Sequence, residues 1–239
     1  MKTIGLIGGM SWESTVTYYR IINETVKKKL GGLHSARILM YSVDFEEIER
    51  CMSAGNWDRC AVILTDAAKR LETAGADFIL VCTNTLHKVA PEIGRHLSVP
   101  LLHIAEVTAG RLKEAGVSTV GLLGTGFTMT QSFYSDVLAG HGIHVIIPEG
   151  EGIRTVNDII FNELCVGIIK EESRKAFLRI MEELHARGAQ GIVLGCTELG
   201  LLIRQEDSAL PMFDTAVIHA EEAALAALAG CEAEKNAEA

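Results

Sequence analysis

The sequence predicts an α/β protein of two pseudo-symmetric lobes, each a parallel sheet flanked by helices, with an active site in the cleft between them. Three observations predict it. Short apolar runs alternate with stretches of helical periodicity, the pattern of parallel strands covered on both faces. Gly5-Leu6-Ile7-Gly8 returns as Gly121-Leu122-Leu123-Gly124, and Tyr18 as Tyr134, each 116 residues later. Cys82 and Cys196, 114 residues apart, each end an apolar run and open a threonine-bearing stretch, and Pro100 matches Pro211 at 111. A nearly constant offset across these landmarks argues for duplication.

In chain order, Thr3–Ile7 reads as a buried strand, and the loop Gly8-Gly9-Met10-Ser11 leads into a helix through Lys29. Ala36–Ser42 is a strand, and Trp57–Ala74 a helix with Ala61, Leu64, Ala68 and Leu71 on one face. Phe78–Cys82 is the third strand, Thr85–His96 a helix and Pro100–Ile104 the fourth strand. The second half repeats this with strand Thr119–Leu123, a helix near Thr130–Gly140, strand Val145–Ile147, helices between Thr155 and Arg187, strand Gly191–Leu194 and strand Pro211–Phe213. The first lobe is expected to take residues 1–104 with 214–230, its last helix being Thr215–Leu228, and the second lobe residues 105–213. The polar tail 231–239 has no core to bury and is expected to fray.

The 239 residues are 48% hydrophobic, enough for the cores of one large or two small α/β lobes. A formal net charge of −9, with no basic patch beyond Lys27-Lys28-Lys29 at a helix end, argues against nucleic-acid or anionic-membrane partners. The N-terminal apolar stretch is short and broken by Gly8-Gly9, unlike a signal peptide, and nothing approaches the roughly 20 apolar residues of a membrane span. Six cysteines without a CxxC read as reduced thiols rather than disulfides or a metal site. The expected compartment is the cytoplasm.

Ligands of parallel α/β sheets sit beyond the carboxyl ends of the strands. Four loops fit that place: Gly8–Ser11, Cys82–Thr85, Gly124–Thr128 and Cys196–Glu198. Their glycines, hydroxyls and amide suit a small carboxylate. No G-x-x-x-x-G-K-[ST] occurs, and Gly5-Leu6-Ile7-Gly8-Gly9 lacks the G-x-G-x-x-G spacing, so no nucleotide site is expected. A helix N-terminus is expected to lower each thiol pKa toward neutrality. With two facing thiols and no cofactor or metal motif, one thiolate can remove a proton from a carbon acid while the opposite thiol donates one, inverting a stereocentre.

A lone cysteine at a strand end is simply a small hydrophobe, but a matched pair, each followed by Thr, favours chemistry. Cys51, Cys60, Cys165 and Cys231 lack such matching and read as structural or incidental. His87, one turn past Cys82, could orient that loop; His103 and His219 could flank the cleft. Glu198 reads as a helix cap or a contact to a ligand amine, and Asp214 as the N-cap of the last helix. Trp12, Tyr18 and Tyr19 read as packing.

These residues resemble the aspartate/glutamate racemase family of cofactor-independent amino-acid racemases. The resemblance runs from Lys2 to about Ala229 on Gly8-Gly9-Met10-Ser11-Trp12-Glu13-Ser14-Thr15, Ser42-Val43-Asp44-Phe45, Cys82-Thr83-Asn84-Thr85-Leu86-His87-Lys88, Leu123-Gly124-Thr125, Gly195-Cys196-Thr197-Glu198 and Phe213-Asp214-Thr215. It implies a homodimer without pyridoxal phosphate or metal, acting on a small-molecule amino acid. By motif match Cys82 and Cys196 are the acid and base, and Thr83, Asn84, Thr85 and Thr197 hold the substrate carboxylate. Met10 and Ser11 match the loop that closes over the ligand, and Thr125 and Thr128 its equivalent in the second lobe.

The motifs look like the branch acting on several amino acids. Aspartate-directed relatives tend to carry an Arg after the second strand and a Lys following a Gly in the second lobe. Here Asp44-Phe45-Glu46-Glu47 and Gly167-Ile168 stand instead, pointing to neutral substrates. Alternatives are an aspartate or glutamate racemase; a hydantoin racemase, maleate isomerase or arylmalonate decarboxylase of the wider superfamily; and a non-catalytic amino-acid sensor.

Overall fold

The computed structural model describes residues 1–229, so the tail 231–239 and Cys231 lie outside the described residues. The described residues divide into two compact units, one of residues 1–103 with 219–229, the other of residues 104–218.

In the first unit, strands β1 (Thr3–Gly8), β2 (Arg37–Ser42) and β3 (Phe78–Val81) form a parallel sheet in the order β2-β1-β3. The expected fourth strand is reduced to a single bridge between Leu101 and Ile79. Ile79 donates to the Pro100 carbonyl and accepts from the Leu102 amide, both at 2.9 Å, before a helix begins at Ile104. Proline has no N–H to extend the ladder in the other direction.

The second unit holds β4 (Thr119–Gly124), β5 (His144–Ile146), β6 (Gly191–Gly195) and β7 (Met212–Asp214), parallel in the order β5-β4-β6-β7. Each central strand is almost wholly buried, which is why β1 and β4 read as continuous apolar runs. Equivalent glycines let the neighbouring elements close onto them. A Cβ on Gly5 would stand 2.9 Å from that of Ala76, and one on Gly121 2.9 Å from Leu184.

Helices Trp12–Leu30 and Trp57–Thr73 pack their apolar stripes inward, burying Tyr18, Ile22, Val26, Leu64 and Leu71. In the second unit Phe177, Ile180, Met181 and Leu184 of helix Glu171–Ala186 join Ile192 and Leu194 in one core. Each such side chain contributes about 1.5–3 kcal/mol on burial.

Two helices, Phe45–Ser53 and Ile104–Glu114, are additional to those expected. Asp44 caps the first by accepting from the Glu46 amide at 3.1 Å. Two expected helices are broken. Residues 85–96 form a 3₁₀ turn, Thr85–Val89, followed by a short helix, Ala90–Arg95, with Pro91 in its first turn. The helix expected near Thr130 comprises Gly126–Thr130 and Ser132–Gly140, parted by extended backbone at Gln131. The last helix is Thr215–Leu228, capped by Asp214 through the amides of Ala216 at 2.9 Å and Val217 at 3.2 Å.

One expectation fails on the Trp12–Leu30 helix. Tyr18 is fully buried, but Trp12 is 65% and Tyr19 52% exposed, so those two are surface residues of this chain rather than packing. Among the described residues no helix is long and apolar enough to cross a membrane.

Candidate active site

In the first unit the loops after β1 and β3 are adjacent, because the Cys82 amide donates to the Ile7 carbonyl at 2.9 Å. Gly9 has φ +92 and a Cβ there would run into Ser42 and Val43, so only glycine fits the turn that carries Met10 and Ser11. Met10 and Ser11 are buried. Ser11 is the N-cap of the following helix; its hydroxyl accepts from the Ser14 amide at 3.4 Å and pairs with the Ser14 hydroxyl at 3.1 Å. Cys82, Thr83, Asn84 and Thr85 are all buried.

His87 secures the Cys82 loop. Its Nδ1 lies 2.7 Å from the Thr83 carbonyl, so that nitrogen carries the proton and donates. His103 and His219 pack edge-on against its ring, with centroids 4.6 and 5.7 Å away. His219 in turn spans 2.9 Å from Nε2 to the Leu102 carbonyl and 2.9 Å from Nδ1 to the Tyr18 hydroxyl. The carbonyl fixes the proton on Nε2, so Nδ1 accepts from Tyr18. Burial, with the neighbouring imidazoles, holds His87 well below the usual histidine range and pushes His219 down to about 3. Both are neutral.

The second unit repeats the backbone plan. Gly124 pairs with Gly195, so Thr125 and Cys196 emerge side by side. Thr125 caps the next helix as Ser11 does, accepting from the Thr128 amide at 3.2 Å and pairing with the Thr128 hydroxyl at 3.1 Å. The Ser11–Ser14 and Thr125–Thr128 pairs are 114 residues apart, matching the cysteines rather than the 116 of the tyrosines. The second unit lacks a counterpart of Gly9-Met10, and the helix break at Gln131 restores the difference.

Around Cys196 the side chains differ. Glu198, 5% exposed, accepts from the Cys196 thiol at 3.1 Å and from the Thr197 hydroxyl at 2.9 Å. It stands at the N-cap position of the turn Leu199–Leu202 but makes no capping hydrogen bond with its side chain, which corrects the cap reading. Asp214 lies in the same region, where burial first, and the Glu198 charge as well, push its carboxyl up to about 6.

Neither thiol is depressed as expected. Burial alone pushes Cys82 far above the ordinary thiol range, and burial together with the Glu198 carboxylate and Cys165 pushes Cys196 well above it. The physical reason is local. A five-residue 3₁₀ turn and a four-residue turn follow the two cysteines, too short for a macrodipole to outweigh desolvation.

Residues 7–223 match the family described as Asp/Glu/hydantoin racemase. The chain belongs to that family. It is 27% identical over 229 residues to the broad specificity amino-acid racemase RacX of Bacillus subtilis (strain 168), covering 89% of this chain and 92% of that protein. A solved structure from Yersinia pestis, described as a candidate Asp/Glu racemase, has a TM-score of 0.90 at 53% identity, covering 95% of this chain and 100% of that one. An aspartate racemase homologue from Pyrococcus horikoshii OT3 has a TM-score of 0.83 at 37% identity, covering 95% and 99%. As a member of the family the chain is an isomerase, an amino-acid racemase.

In this racemase Asp44 and Glu47 line a cavity of about 470 Å³ with Tyr41, Ser42 and Arg59. Arg59 was not singled out from the sequence, because only the fold brings its helix to that place. It is paired with Glu47 at 2.9 Å, and Arg50 with Glu46 at 3.8 Å. Lys88 stacks on Trp57, 3.9 Å from the ring centroid. Ile168 is 44% exposed, just after the left-handed Gly167. Among the described residues no group of three or more His, Cys, Asp or Glu side chains is arranged to hold a metal.

Proposed function

We propose that the protein inverts the α-carbon of amino acids by a two-base proton transfer between Cys82 and Cys196, without cofactor or metal, and that it is broad in specificity with a preference for neutral substrates. The carrying observation is the repetition of one backbone plan around two buried thiols, each beside a hydroxyl-capped helix start. One thiolate takes the α-proton, the electron pair passes into the carboxylate as an enediolate, and the opposite thiol protonates the other face. Thr83, Asn84, Thr85 and Thr197 hold the carboxylate, with Met10, Ser11, Thr125 and Thr128 closing over the ligand. Hydrogen bonds to the developing enediolate supply much of the barrier lowering. The ammonium of a bound substrate favours the thiolate, against the desolvation that keeps each thiol protonated in the free protein.

The neutral preference is supported by engaged cations. Arg50, Arg59 and Lys88 each already have a partner, and Asp44, Glu46 and Glu47 add negative charge near the β2 end. A substrate side-chain carboxylate would be poorly compensated there. The name of RacX, a broad specificity amino-acid racemase, supports the breadth of the reading. Function as a cytoplasmic homodimer belongs to the same proposal.

A panel of L- and D-amino acids in D₂O tests it, following the α-proton signal and the optical rotation together. Homoserine, alanine and methionine are expected to turn over with higher kcat/KM than aspartate or glutamate. Ile168→Lys is expected to shift the preference toward the acidic pair. A wild-type preference for aspartate and glutamate would refute the specificity, and loss of α-proton without loss of rotation would refute the racemisation.

A further inference from the structure

Two cysteines that the sequence leaves as structural or incidental are brought together by the fold. Cys51 stands in the last turn of helix Phe45–Ser53 and Cys60 in the first turn of helix Trp57–Thr73, nine residues later and in the same compact unit. The connection between the helices is pinned: the Asn56 amide donates to the Cys51 carbonyl at 2.8 Å, and the Asn56 side chain caps the second helix through the Arg59 amide at 3.1 Å. The Cys60 sulfur lies 3.9 Å from the Ile48 carbonyl, and Cys51 is one helical turn beyond Ile48 on the same face. The Cys51 thiol is within hydrogen-bonding reach of Cys60. The two differ in access. Cys60 is fully buried, and burial first, with the Cys51 thiol as well, pushes it up to about 11; Cys51 is half-buried and is the sulfur that solvent reaches. A role as a small hydrophobe accounts for Cys60 but not for a second thiol set against it.

We propose that Cys51 and Cys60 form a reversible oxidation site, which closes to an intramolecular disulfide when the protein meets a hydroperoxide. The Cys51 sulfur attacks the peroxide: an S–O bond forms as the O–O bond breaks, and the departing oxygen leaves as water with the thiol proton. Cys51 is then a sulfenic acid. Cys60 attacks that sulfur, the S–S bond forming as the S–O bond breaks, and the oxygen takes the Cys60 proton and leaves as a second water. The two thiols together give up two electrons, and the peroxide takes them. A dithiol reductant reopens the bond by exchange. The bond ties the helix that carries Glu47 to the helix that carries Arg59, the pair at 2.9 Å that lines the cavity of about 470 Å³. Cys82 and Cys196 take no part in it.

Trypsin reads the site directly. Arg50 and Arg59 immediately precede the two cysteines, so cleavage leaves them on separate peptides, residues 51–59 and 60–69. The full chain, reduced and then treated while folded with one equivalent of hydrogen peroxide, should yield these two peptides joined and two hydrogens lighter than their sum. Dithiothreitol should separate them. Hydrogen exchange of residues 45–60 should slow several-fold in the oxidised protein. Cys60→Ser should hold Cys51 as a sulfenic acid that dimedone traps several-fold more than in the wild type, and Cys51→Ser should leave Cys60 unoxidised at the same dose.

Dimedone trapping of Cys51 in the wild type to the extent seen in Cys60→Ser would overturn the proposal, because the second thiol would then not reach the first. A link between Cys165 and Cys196 in place of the Cys51–Cys60 link would overturn it too, as would linkage that forms only after denaturation. Exchange of residues 45–60 unchanged by the link would overturn the tie between the two helices. The linkage is read in the wild type, so a variant that fails to fold does not remove the decision. None of these measurements uses turnover, and failure of the oxidation site leaves the racemase reading untouched.

Discussion

The Cys82 loop is secured by neutral imidazoles and a tyrosine, whereas in the Cys196 loop a carboxylate, Glu198, accepts from the thiol and from Thr197. Cys82 follows β3, the edge strand bridged only at Leu101, and Cys196 follows the central strand β6; each strand's neighbour leads to a serine or threonine that caps the next helix. The backbone plan is shared by the two units and the side chains around it differ. In the first unit His87 donates to Thr83 and His219 joins Tyr18 to Leu102. In the second the tyrosine equivalent to Tyr18, Tyr134, donates to Thr108 at 3.4 Å, and Glu198 accepts a hydrogen bond from the Cys196 thiol. Each thiol is therefore protonated at rest for its own reason, burial alone at Cys82 and burial with a negative neighbour at Cys196.

The sharpest way to break this comparison is to remove each thiol. Cys82→Ala and Cys196→Ala are each expected to lower kcat by at least about 10²–10⁴, the usual contribution of a positioned acid or base, with the fold retained. Two-way turnover by either variant near the wild-type rate would dissolve the pairing.

The next largest difference is in pH dependence, where the units have opposite signs. His219 has a folded value near 3 against an ordinary 6.5. Its stabilising contribution is complete above pH 6.5 and is lost as pH falls from there toward 3, because only the unfolded chain takes the proton. Asp214 has a folded value near 6 against an ordinary 3.8, so its contribution is complete below 3.8 and is lost as pH rises through 6. Each shift corresponds to a few kcal/mol at most. Hydrogen exchange read by peptide should show the first unit loosening in acid and the second tightening; His219→Gln should flatten the first slope, and Asp214→Asn the second.

The smallest expected effect sharpens the equivalence rather than the difference. Ser11→Ala and Thr125→Ala should each cost about 1 kcal/mol, the common worth of an N-cap, measured by chemical denaturation. A large disparity would mean that one of the two caps is not the match of the other.

The strands were legible because each central strand is a short buried run, as in Ile4–Ile7 and Val120–Leu123. The last helix was equally clear, with Asp214 as its N-cap. Boundaries set by single residues were harder to read. The strand expected from Pro100 is one bridge before the helix that begins at Ile104, and the extended Gln131 splits a helix. The cysteines, the loops and their hydroxyls could be picked out by repetition, but their protonation could not, since it depends on burial and on how short the following turns are. The spacing of Thr83 and His87, one helical turn, was the available signal for the imidazole brace. Nothing local ties Tyr18 to His219, 201 residues apart, or Asp214 to Glu198; only the fold joins them.

The claim at the centre of this account is that two different groups serve the two faces of one α-carbon, and early-time racemisation in D₂O tests it most directly. Starting from the L-enantiomer of a turned-over amino acid, the first D-product formed should carry solvent deuterium at Cα while the remaining L-substrate keeps its proton. The mirror result should hold starting from the D-enantiomer. Deuterium entering the starting enantiomer as fast as product forms, or protium retained in the product, would mean that one base visits both faces and would contradict the account.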